Sequence, residues 1–439
     1  MKLTTTFAPR PPLVNLIDQR RPVGAAWDDP GMAADPLRAD AARLLRTRGL
    51  RALVDGLVAV VLPTFLLARG CSPSQVGAVI TATLLGSAAL TLTIGVRGGR
   101  IDRGRLLQAL ALVMVATGIA FGMVAAFPAL LVVAAAGTVN PSSGDVSAFL
   151  PVEQALLPDT VPASRRTHLF ARYSLVASLA GAVGALAAGG PEWLAERTDL
   201  SVLDAQRGVF LLYAVVGVVL FWQYRSLAPR PPLERSGLGR SGLGRSRAVV
   251  LRLSALFSLD ALGGGFVVQS ILVLWLSLRF DLSTSAAGAL FFWAGLGAAS
   301  SALLAPRLAA RIGLVRTMVF THVPASLLLM AAALMPSAGP AVACLLLRSL
   351  LSQMDVPART SYVMAVVDPA ERTAAATVTN VPRSLASALP PLAAGWMLQH
   401  SDFGWPLLLG GALKITYDLT LLALFHDVRP PEELDTAAT

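Results

Sequence analysis

Long apolar runs, separated by short loops rich in arginine, proline and glycine, cover the chain from about residue 50 to 426. Each run has close to the ~20 residues that an α-helix needs to cross the hydrocarbon core of a bilayer. The pattern predicts twelve spans, numbered here in chain order: 50–69, 74–96, 105–126, 129–152, 167–189, 207–226, 249–278, 284–305, 315–335, 339–358, 373–397 and 404–426. We therefore expect an all-α membrane protein.

Composition agrees with this interpretation. The hydrophobic share is 55%, the charged share is 14% and the mean hydropathy is +0.64, whereas a soluble protein has about 25% charged residues. The net charge of +10 does not indicate nucleic-acid binding, because the arginines cluster before span one and after spans two, six and eight, on one side of the membrane. The positive-inside rule places these loops and both termini in the cytoplasm, and we expect an integral protein of the bacterial inner membrane.

The second half of the chain repeats the first about 206 residues later. Ser178–Gly189 returns as Ser384–Gly395 with eight of twelve positions identical, and Asp55 is matched by Asp260. Duplicated halves are typical of secondary transporters. The sequence predicts two pseudo-symmetric six-helix bundles, with these boundaries: a disordered cytoplasmic tail (1–45), the N-terminal bundle (46–225), a cytoplasmic linker (226–248), the C-terminal bundle (249–427) and a C-terminal tail (428–439).

Residues for cofactor or metal chemistry are sparse. The two cysteines, Cys71 and Cys344, have no metal-ligand spacing, and neither Lys2 nor Lys414 lies in a phosphate-binding loop. We expect no cofactor, no metal and no enzymatic activity. The expected partners are a small-molecule substrate, protons or another coupling ion, and the lipid bilayer, with no nucleic acid and a monomeric chain.

Three stretches resemble the major facilitator superfamily. Leu66–Gly77 is similar to its link between spans one and two, and Gly95–Arg105 to its loop between spans two and three, usually G-x-x-x-D-R-x-G-R. One residue is missing here before Gly104. The fifth span, Gly181–Pro191, is loosely similar to a glycine–proline motif of antiporter members. The residues matched to the gating loop, including those of the second half, are Asp102, Arg103, Gly104, Arg105, Arg311 and Gly313.

This resemblance implies alternating access, in which two halves rock around a midplane site. It also implies that Asp102 and its arginines pair with neighbouring segments in one state and separate in the other. The alternative is simple anchoring of the loop by positive charge. The fifth-span motif implies export.

Ionisable side chains within spans are costly, by at least about 2.5 kcal/mol on insertion scales, so each is a candidate for function. Asp55 and Asp260 are related by the repeat and suit proton coupling, although Asp55 has Arg51 one turn away as an alternative partner. The arginines need a carboxylate or an anionic ligand, with Asp145, Asp260 and Asp355 as carboxylate candidates. The full set of substrate or coupling candidates is Asp55, Asp145, Asp260, Arg348, Arg383, Asn380 and Gln269.

Three further interpretations concern pairing. Lys414 and Asp418 are one helical turn apart, which favours a structural pair between them. Glu153 and Arg359 are matched by the repeat, and we expect either a latch between the halves or a surface pair. The histidines, including His322, are expected at solvated interfaces, with a proton-sensing role as the alternative.

These features predict a secondary transporter, with proton-coupled export of a small organic or drug-like compound as the leading hypothesis. Uptake or exchange of an anionic metabolite is the alternative that Arg348 and Arg383 suit. A transporter-like sensor that signals through the N-terminal tail is a rival from another class.

Overall fold

A computed structural model describes most of the chain outside its ends and a few loops. The described residues are 36–97, 101–142, 147–162, 165–228, 244, 246–355, 359, 362–363, 367 and 371–425. Nearly all of them are helical. Asp145, one of the predicted site residues, lies outside this set, as do residues 1–35 of the predicted tail.

The first half contains eight helices, and polar caps begin two of them. The Asp102 side chain accepts a hydrogen bond from Arg105 N at the start of α3, and Ser201 caps α8 in the same way. The helices are α1 (Pro36–Ala68), α2 (Pro73–Arg97), α3 (Arg103–Met123), α4 (Phe127–Ala136), α5 (Phe149–Leu156), α6 (Arg166–Leu186), α7 (Gly190–Ala195) and α8 (Val202–Arg225), with 3₁₀ turns at Leu157–Thr160 and Ala187–Gly189.

Eight helices with both ends described lie in the second half, beside the helical residues Asp355, Arg359, Tyr362 and Val363. Ser283 caps α11, and Gly313 joins α11 to α12 at a φ of 89°, which glycine adopts without strain. The helices are α9 (Arg247–Gly265), α10 (Gln269–Phe280), α11 (Thr284–Ile312), α12 (Leu314–Leu334), α13 (Ala338–Ser349), α14 (Arg372–Ala388), α15 (Pro390–His400) and α16 (Trp405–Phe425).

Nine helices of the described chain, some counted across a short interruption, are long and apolar enough to cross a membrane. The remaining predicted spans are interrupted. Span four is divided into α4 and α5, span ten turns after α13, and span eleven is divided into α14 and α15 at Leu389. The all-helical membrane fold is confirmed, and the count of twelve spans stays a prediction.

Residues 36–49 are helical, whereas the sequence predicted a disordered tail up to residue 45. They form the first turns of α1 and pack into the first half, where Leu44 and Asp40 are each only 1% exposed. Ala228 N donates a hydrogen bond to Asp40 Oδ2 at 3.3 Å. The start of α1 is therefore attached to the chain that follows α8.

Small residues allow the helices to approach closely, as is usual in membrane bundles. A Cβ added to Gly184 of α6 would lie 1.8 Å from Leu53 O of α1, so only glycine fits there. Large apolar side chains, among them Leu112, Val132 and Leu303, are more than half exposed on the outside of the bundle. This distribution suits a surface that faces lipid.

Candidate functional site

A buried network of charged side chains joins four segments of the second half. At its centre is Asp260 of α9, which is 5% exposed. Lys414 of α16 donates to Asp260 Oδ1 at 2.8 Å, and Arg359 donates to Oδ2 at 3.0 Å. Arg359 also lies 3.6 Å from Asp355 Oδ2. Both oxygens of the predicted coupling carboxylate are therefore occupied by cations.

The network continues through His322 of α12. Its Nε2 lies 3.4 Å from Lys414 Nζ and 3.8 Å from Asp260 Oδ1, and its Nδ1 lies 2.9 Å from Asp418 Oδ2. These contacts fit a neutral imidazole in which Nδ1–H donates to Asp418 and Nε2 accepts from Lys414. Asp418 is fully buried. We name Arg359, Asp355, Asp260, Lys414, His322 and Asp418 the C-half network.

The C-half network has one more carboxylate than it has fixed cations. Two fixed cations, Arg359 and Lys414, face three carboxylates, and His322 is the sixth member. With a neutral imidazole the network carries one net negative charge, and with one added proton it is neutral. Burial of net charge is costly, so the excess carboxylate of the network carries an energetic cost.

Two interpretations from the sequence are wrong here. Lys414 and Asp418 do not pair with each other: Lys414 contacts Asp260, and Asp418 contacts His322. His322 is not at a solvated interface, because it is only 6% exposed. In both cases a partner from another helix replaces the local environment that the sequence suggested.

A second buried cluster lies in the first half. Arg51 of α1 donates two hydrogen bonds to Glu153 of α5, at 2.9 and 2.8 Å, with both side chains at most 1% exposed. The hydroxyls of Tyr224 and Tyr173 also donate to the Glu153 carboxylate, that of Tyr224 at 2.6 Å. The guanidinium of Arg51 lies 4.6 Å from the centre of the Phe149 ring. Glu153 thus has four donors, which is close to the capacity of a carboxylate.

Asp55 lies one turn beyond Arg51 on α1 but does not form an ion pair with it, because Arg51 is committed to Glu153. Asp55 is 3% exposed, and its Oδ1 accepts no hydrogen bond from the described residues. The alternative of a local Asp55–Arg51 pair is therefore not what the structure contains.

The two predicted latch residues, Glu153 and Arg359, each pair within their own half. The repeat explains why. In the first half the cation is on span one and the carboxylate on span four, whereas in the second half Asp260 is on span seven and Arg359 follows span ten. The two ion pairs occupy equivalent segments with the charges exchanged.

Arg348 is the last but one residue of α13 and is partly exposed. Its side chain makes no ion pair or hydrogen bond with any described residue. The carboxyl end of α13 favours a cation by about 0.3–1 kcal/mol, which is less than the several kcal/mol that removal of a charge from water costs. The predicted partners Asp260 and Asp355 are both engaged by Arg359.

The remaining candidates are Arg383 and Asn380 in span eleven and Gln269 in span seven. Helix α14 continues through Pro382, with Arg383 partly buried and Asn380 exposed. Pro382 has no N–H for the carbonyl of Val378, and Ser254 Oγ donates to that carbonyl at 2.8 Å. Gln269 is the first residue of α10, beside the interruption of span seven.

The halves meet along one end of the bundle, where α1 finishes and α2 begins. Glu192 of α7 accepts hydrogen bonds from Thr284 N at 2.8 Å and Ser285 N at 3.0 Å, at the start of α11. Ser74 N donates to Gln399 Oε1 at 3.3 Å. A Cβ on Gly77 would lie 2.4 Å from Pro391 O. We name this set of contacts the inter-half seam.

The deepest contact of the inter-half seam is made by Ser270, the second residue of α10. Pro63 has no N–H and therefore leaves the carbonyl of Ala59 without its helical donor, and Ser270 Oγ donates to that carbonyl at 2.7 Å. Ser270 N donates to Pro141 O, in the interruption of span four, at 3.2 Å. One buried serine thus joins three interrupted or proline-weakened spans from both halves.

Comparison with known proteins agrees with this architecture. A family model described as Major Facilitator Superfamily matches residues 47–354 and 280–439. The chain belongs to the major facilitator superfamily. It is 27% identical over 417 residues to an uncharacterised membrane protein of Saccharomyces cerevisiae, covering 86% of this chain and 92% of that protein.

Solved structures of the superfamily share the fold. The inward-open xylose transporter XylE from E. coli has a TM-score of 0.70 at 12% identity, covering 90% of this chain and 99% of that one. A bacterial homologue of the iron transporter ferroportin in an inward-facing state has a TM-score of 0.69 at 18% identity, covering 88% and 98%. At these identities the likeness concerns the fold alone.

The superfamily loop between spans two and three is visible from Ile101 onwards. Asp102 caps α3, while Arg103 donates to Asp159 Oδ2 and to Ala155 O, both at 3.0 Å. These contacts attach the loop to the end of span four. Gly104 and Arg105 form the first turn of α3, and in the second half Arg311 is exposed at the end of α11, next to the Gly313 turn. Whether these residues act in gating stays a prediction.

Among the described residues no group of three or more histidine, cysteine, aspartate or glutamate side chains is arranged to hold a metal ion. The described residues thus form a saturated carboxylate in one half, a network of six ionisable side chains in the other, and an inter-half seam between them.

Proposed function

We propose that this member of the superfamily is a proton-coupled secondary transporter of a small organic molecule, and that the C-half network holds the coupling proton. The observation that carries the proposal is the contact chain Asp355–Arg359–Asp260–Lys414–His322–Asp418, which is buried and gains charge neutrality with one proton. Such a chain responds to a proton with a change of partners.

His322 Nε2 is the proposed site of that proton. In the present arrangement it faces Lys414 Nζ at 3.4 Å, so protonation places two positive groups against each other. Lys414 is then repelled, and the new Nε2–H takes over Asp260 Oδ1, which already lies 3.8 Å away. Release of Lys414 from Asp260 loosens α16 from α9, which couples protonation to movement within the second half.

The inter-half seam supports the alternating-access part of the proposal. If the arginine-rich loops are cytoplasmic, as the positive-inside rule predicts, the end closed by the inter-half seam is extracytoplasmic and this conformation is inward-facing. The proposed direction is export. It rests on the fifth-span motif alone, whose Gly184 is also required for the close packing of α6 on α1.

The test compares His322→Gln with His400→Gln in proteoliposomes. Glutamine keeps hydrogen-bonding groups but does not titrate, and His400 is an exposed histidine outside the network. A panel of drugs, metalloids and organic anions first identifies a compound that triggers proton movement in wild type. We expect His322→Gln to lose proton-driven accumulation of that compound and to keep its counterflow exchange, whereas His400→Gln behaves as wild type.

Asp260→Asn provides a second variant with the same expectation. Because loss of a buried ion-pair partner costs about 3–5 kcal/mol, each variant is first checked by size-exclusion elution and thermal unfolding. Proton-driven accumulation at the wild-type level in folded His322→Gln contradicts the proposed site of the proton. Wild-type accumulation in both variants contradicts coupling through the C-half network.

A further inference from the structure

Two buried cations of the second half, Arg359 and Lys414, are neutralised by carboxylates. Arg359 lies against Asp260 and Asp355, and Lys414 lies against Asp260. Arg348 is left without an ion pair or a side-chain hydrogen bond to a described residue, although it is embedded near the middle of span ten and only partly exposed. An arginine at such a position needs a partner.

The depth of Arg348 follows from the repeat. The offset of 206 residues relates Arg348 to Ser142, which neighbours Pro141 in the interruption of span four. Pro141 O is the acceptor of Ser270 N across the inter-half seam. Arg348 therefore lies in the second half at the depth that Ser142 has in the first half. At that depth Pro141 contacts the other half.

The surroundings of Arg348 also connect it to the interface of the halves. Its neighbour Ser349 packs against α11, where a Cβ on Gly297 would lie 2.5 Å from Ser349 Oγ. The same helix contacts the first half through Gly288, whose added Cβ would lie 2.4 Å from Ala185 O of α6. A single helix thus separates the end of α13 from the first half.

We infer that Arg348 binds an anionic group of the transported molecule, which makes the substrate an organic anion that carries a carboxylate or phosphate group. The planar guanidinium offers paired N–H donors that match the two oxygens of either group. A bound anion supplies the counter-charge that the described residues do not supply. This inference rests on the proposed transport function and names the charge of its substrate.

The experiment uses probes that share one carbon skeleton and differ in charge: benzoate and phenyl phosphate, benzamide, and benzylamine. Binding to the purified protein in nanodiscs is measured by thermal stabilisation, and exchange is measured by counterflow in proteoliposomes. We expect wild type to bind at least one of the two anions roughly tenfold or more tightly than the amide or the amine, since hydrogen bonds to charged groups are the strong ones. The better anion distinguishes carboxylate from phosphate recognition.

Three variants decide the role of Arg348. Arg348→Gln is expected to lose the preference for the anion by about tenfold or more, and Arg348→Lys to keep part of it, because lysine retains the charge but not the paired donors. Arg316→Gln removes an exposed arginine at the start of α12 and is expected to behave as wild type. The inference is overturned if the wild-type protein prefers the amide or the amine, or if it binds neither anion. It is also overturned if folded Arg348→Gln binds the anion as tightly as wild type.

This outcome is separable from that of the proton-coupling proposal. If anions exchange through Arg348 while His322→Gln keeps proton-driven accumulation, the inference about Arg348 stands and the coupling proposal fails. If His322→Gln uncouples transport while Arg348→Gln keeps the charge preference, the reverse holds.

Discussion

The contact made by Ser270 gives a quantitative prediction about the conformational equilibrium. Ser270→Ala removes the hydroxyl that donates to Ala59 O at 2.7 Å and also lies 3.0 Å from Pro141 O, while the donation from Ser270 N to Pro141 O at 3.2 Å remains. Ala59 is fully buried and lacks its helical donor because of Pro63. A buried carbonyl left without a donor costs about 1–3 kcal/mol. Once the halves separate, water reaches this carbonyl in both proteins, so the cost falls on the closed seam.

A cost of about 1–2 kcal/mol lowers the ratio of the conformation with a closed inter-half seam to the conformation with an open one by roughly five- to thirtyfold. The assay is the distance between spin labels at Gly190→Cys and Gly339→Cys, one in each half, in a Cys71→Ser, Cys344→Ala background. A Cβ at either glycine meets nothing within 4 Å, so the labels cause little disturbance. We expect Ser270→Ala to increase the population with the longer distance.

Ser254→Ala is the matched control. Ser254 Oγ also donates to a carbonyl that a proline frees, that of Val378, but both residues belong to the second half. We expect it to lower thermal stability without changing the distance distribution. If Ser270→Ala leaves the distribution unchanged, or if Ser254→Ala changes it equally, the hydrogen bond of Ser270 does not hold the inter-half seam closed.

Two further predictions concern the first half. Glu153→Gln leaves the buried Arg51 without its counter-charge and is expected to destabilise the protein by about 3–5 kcal/mol. Tyr224→Phe removes one of the four donors to Glu153 and is expected to cost about 1 kcal/mol. Unfolding in a detergent series measures both variants, and equal effects would contradict the assignment of an ion pair. Deletion of residues 1–35 is expected to preserve folding and transport, whereas deletion of residues 1–45 removes the buried Asp40 and Leu44 and is expected to lower the yield of monodisperse protein. Loss of transport with intact folding in the shorter deletion would contradict this expectation.

The sequence was sufficient for the features that depend on local pattern. Apolar runs of membrane-spanning length predicted the helices, and the repeat predicted two halves with Asp55 and Asp260 in equivalent places. Proline and glycine residues, Pro141 and Gly263–Gly265, accompany the interruptions of spans four and seven. These signals are local because helix length and backbone breaks are decided by neighbours in the chain.

Partner choice was not predictable in the same way. Lys414 is 154 residues from Asp260, and His322 is 96 residues from Asp418, so no spacing rule connects them. The spacing of Lys414 and Asp418 instead favoured a local pair, because an i,i+4 pair is the only contact that one helix can supply. Once four segments pack together, inward-facing charges choose partners across the bundle, and the cost of burial decides the pairing.

The exchanged ion pairs of the two halves differ in the balance of positive and negative charges around them. In the first half, Glu153 accepts from Arg51 and from two tyrosine hydroxyls, so its carboxylate has nearly all its acceptor positions filled. In the second half, Asp260 shares its cations with Asp355 and, through His322, with Asp418, and two cations face three carboxylates. Under the proposed mechanism, the saturated pair keeps the helices of the first half together, and the unbalanced network of the second half changes partners when a proton arrives. Duplicated segments with the charges exchanged would then serve different purposes, the first as a rigid element and the second as the element that responds to protons.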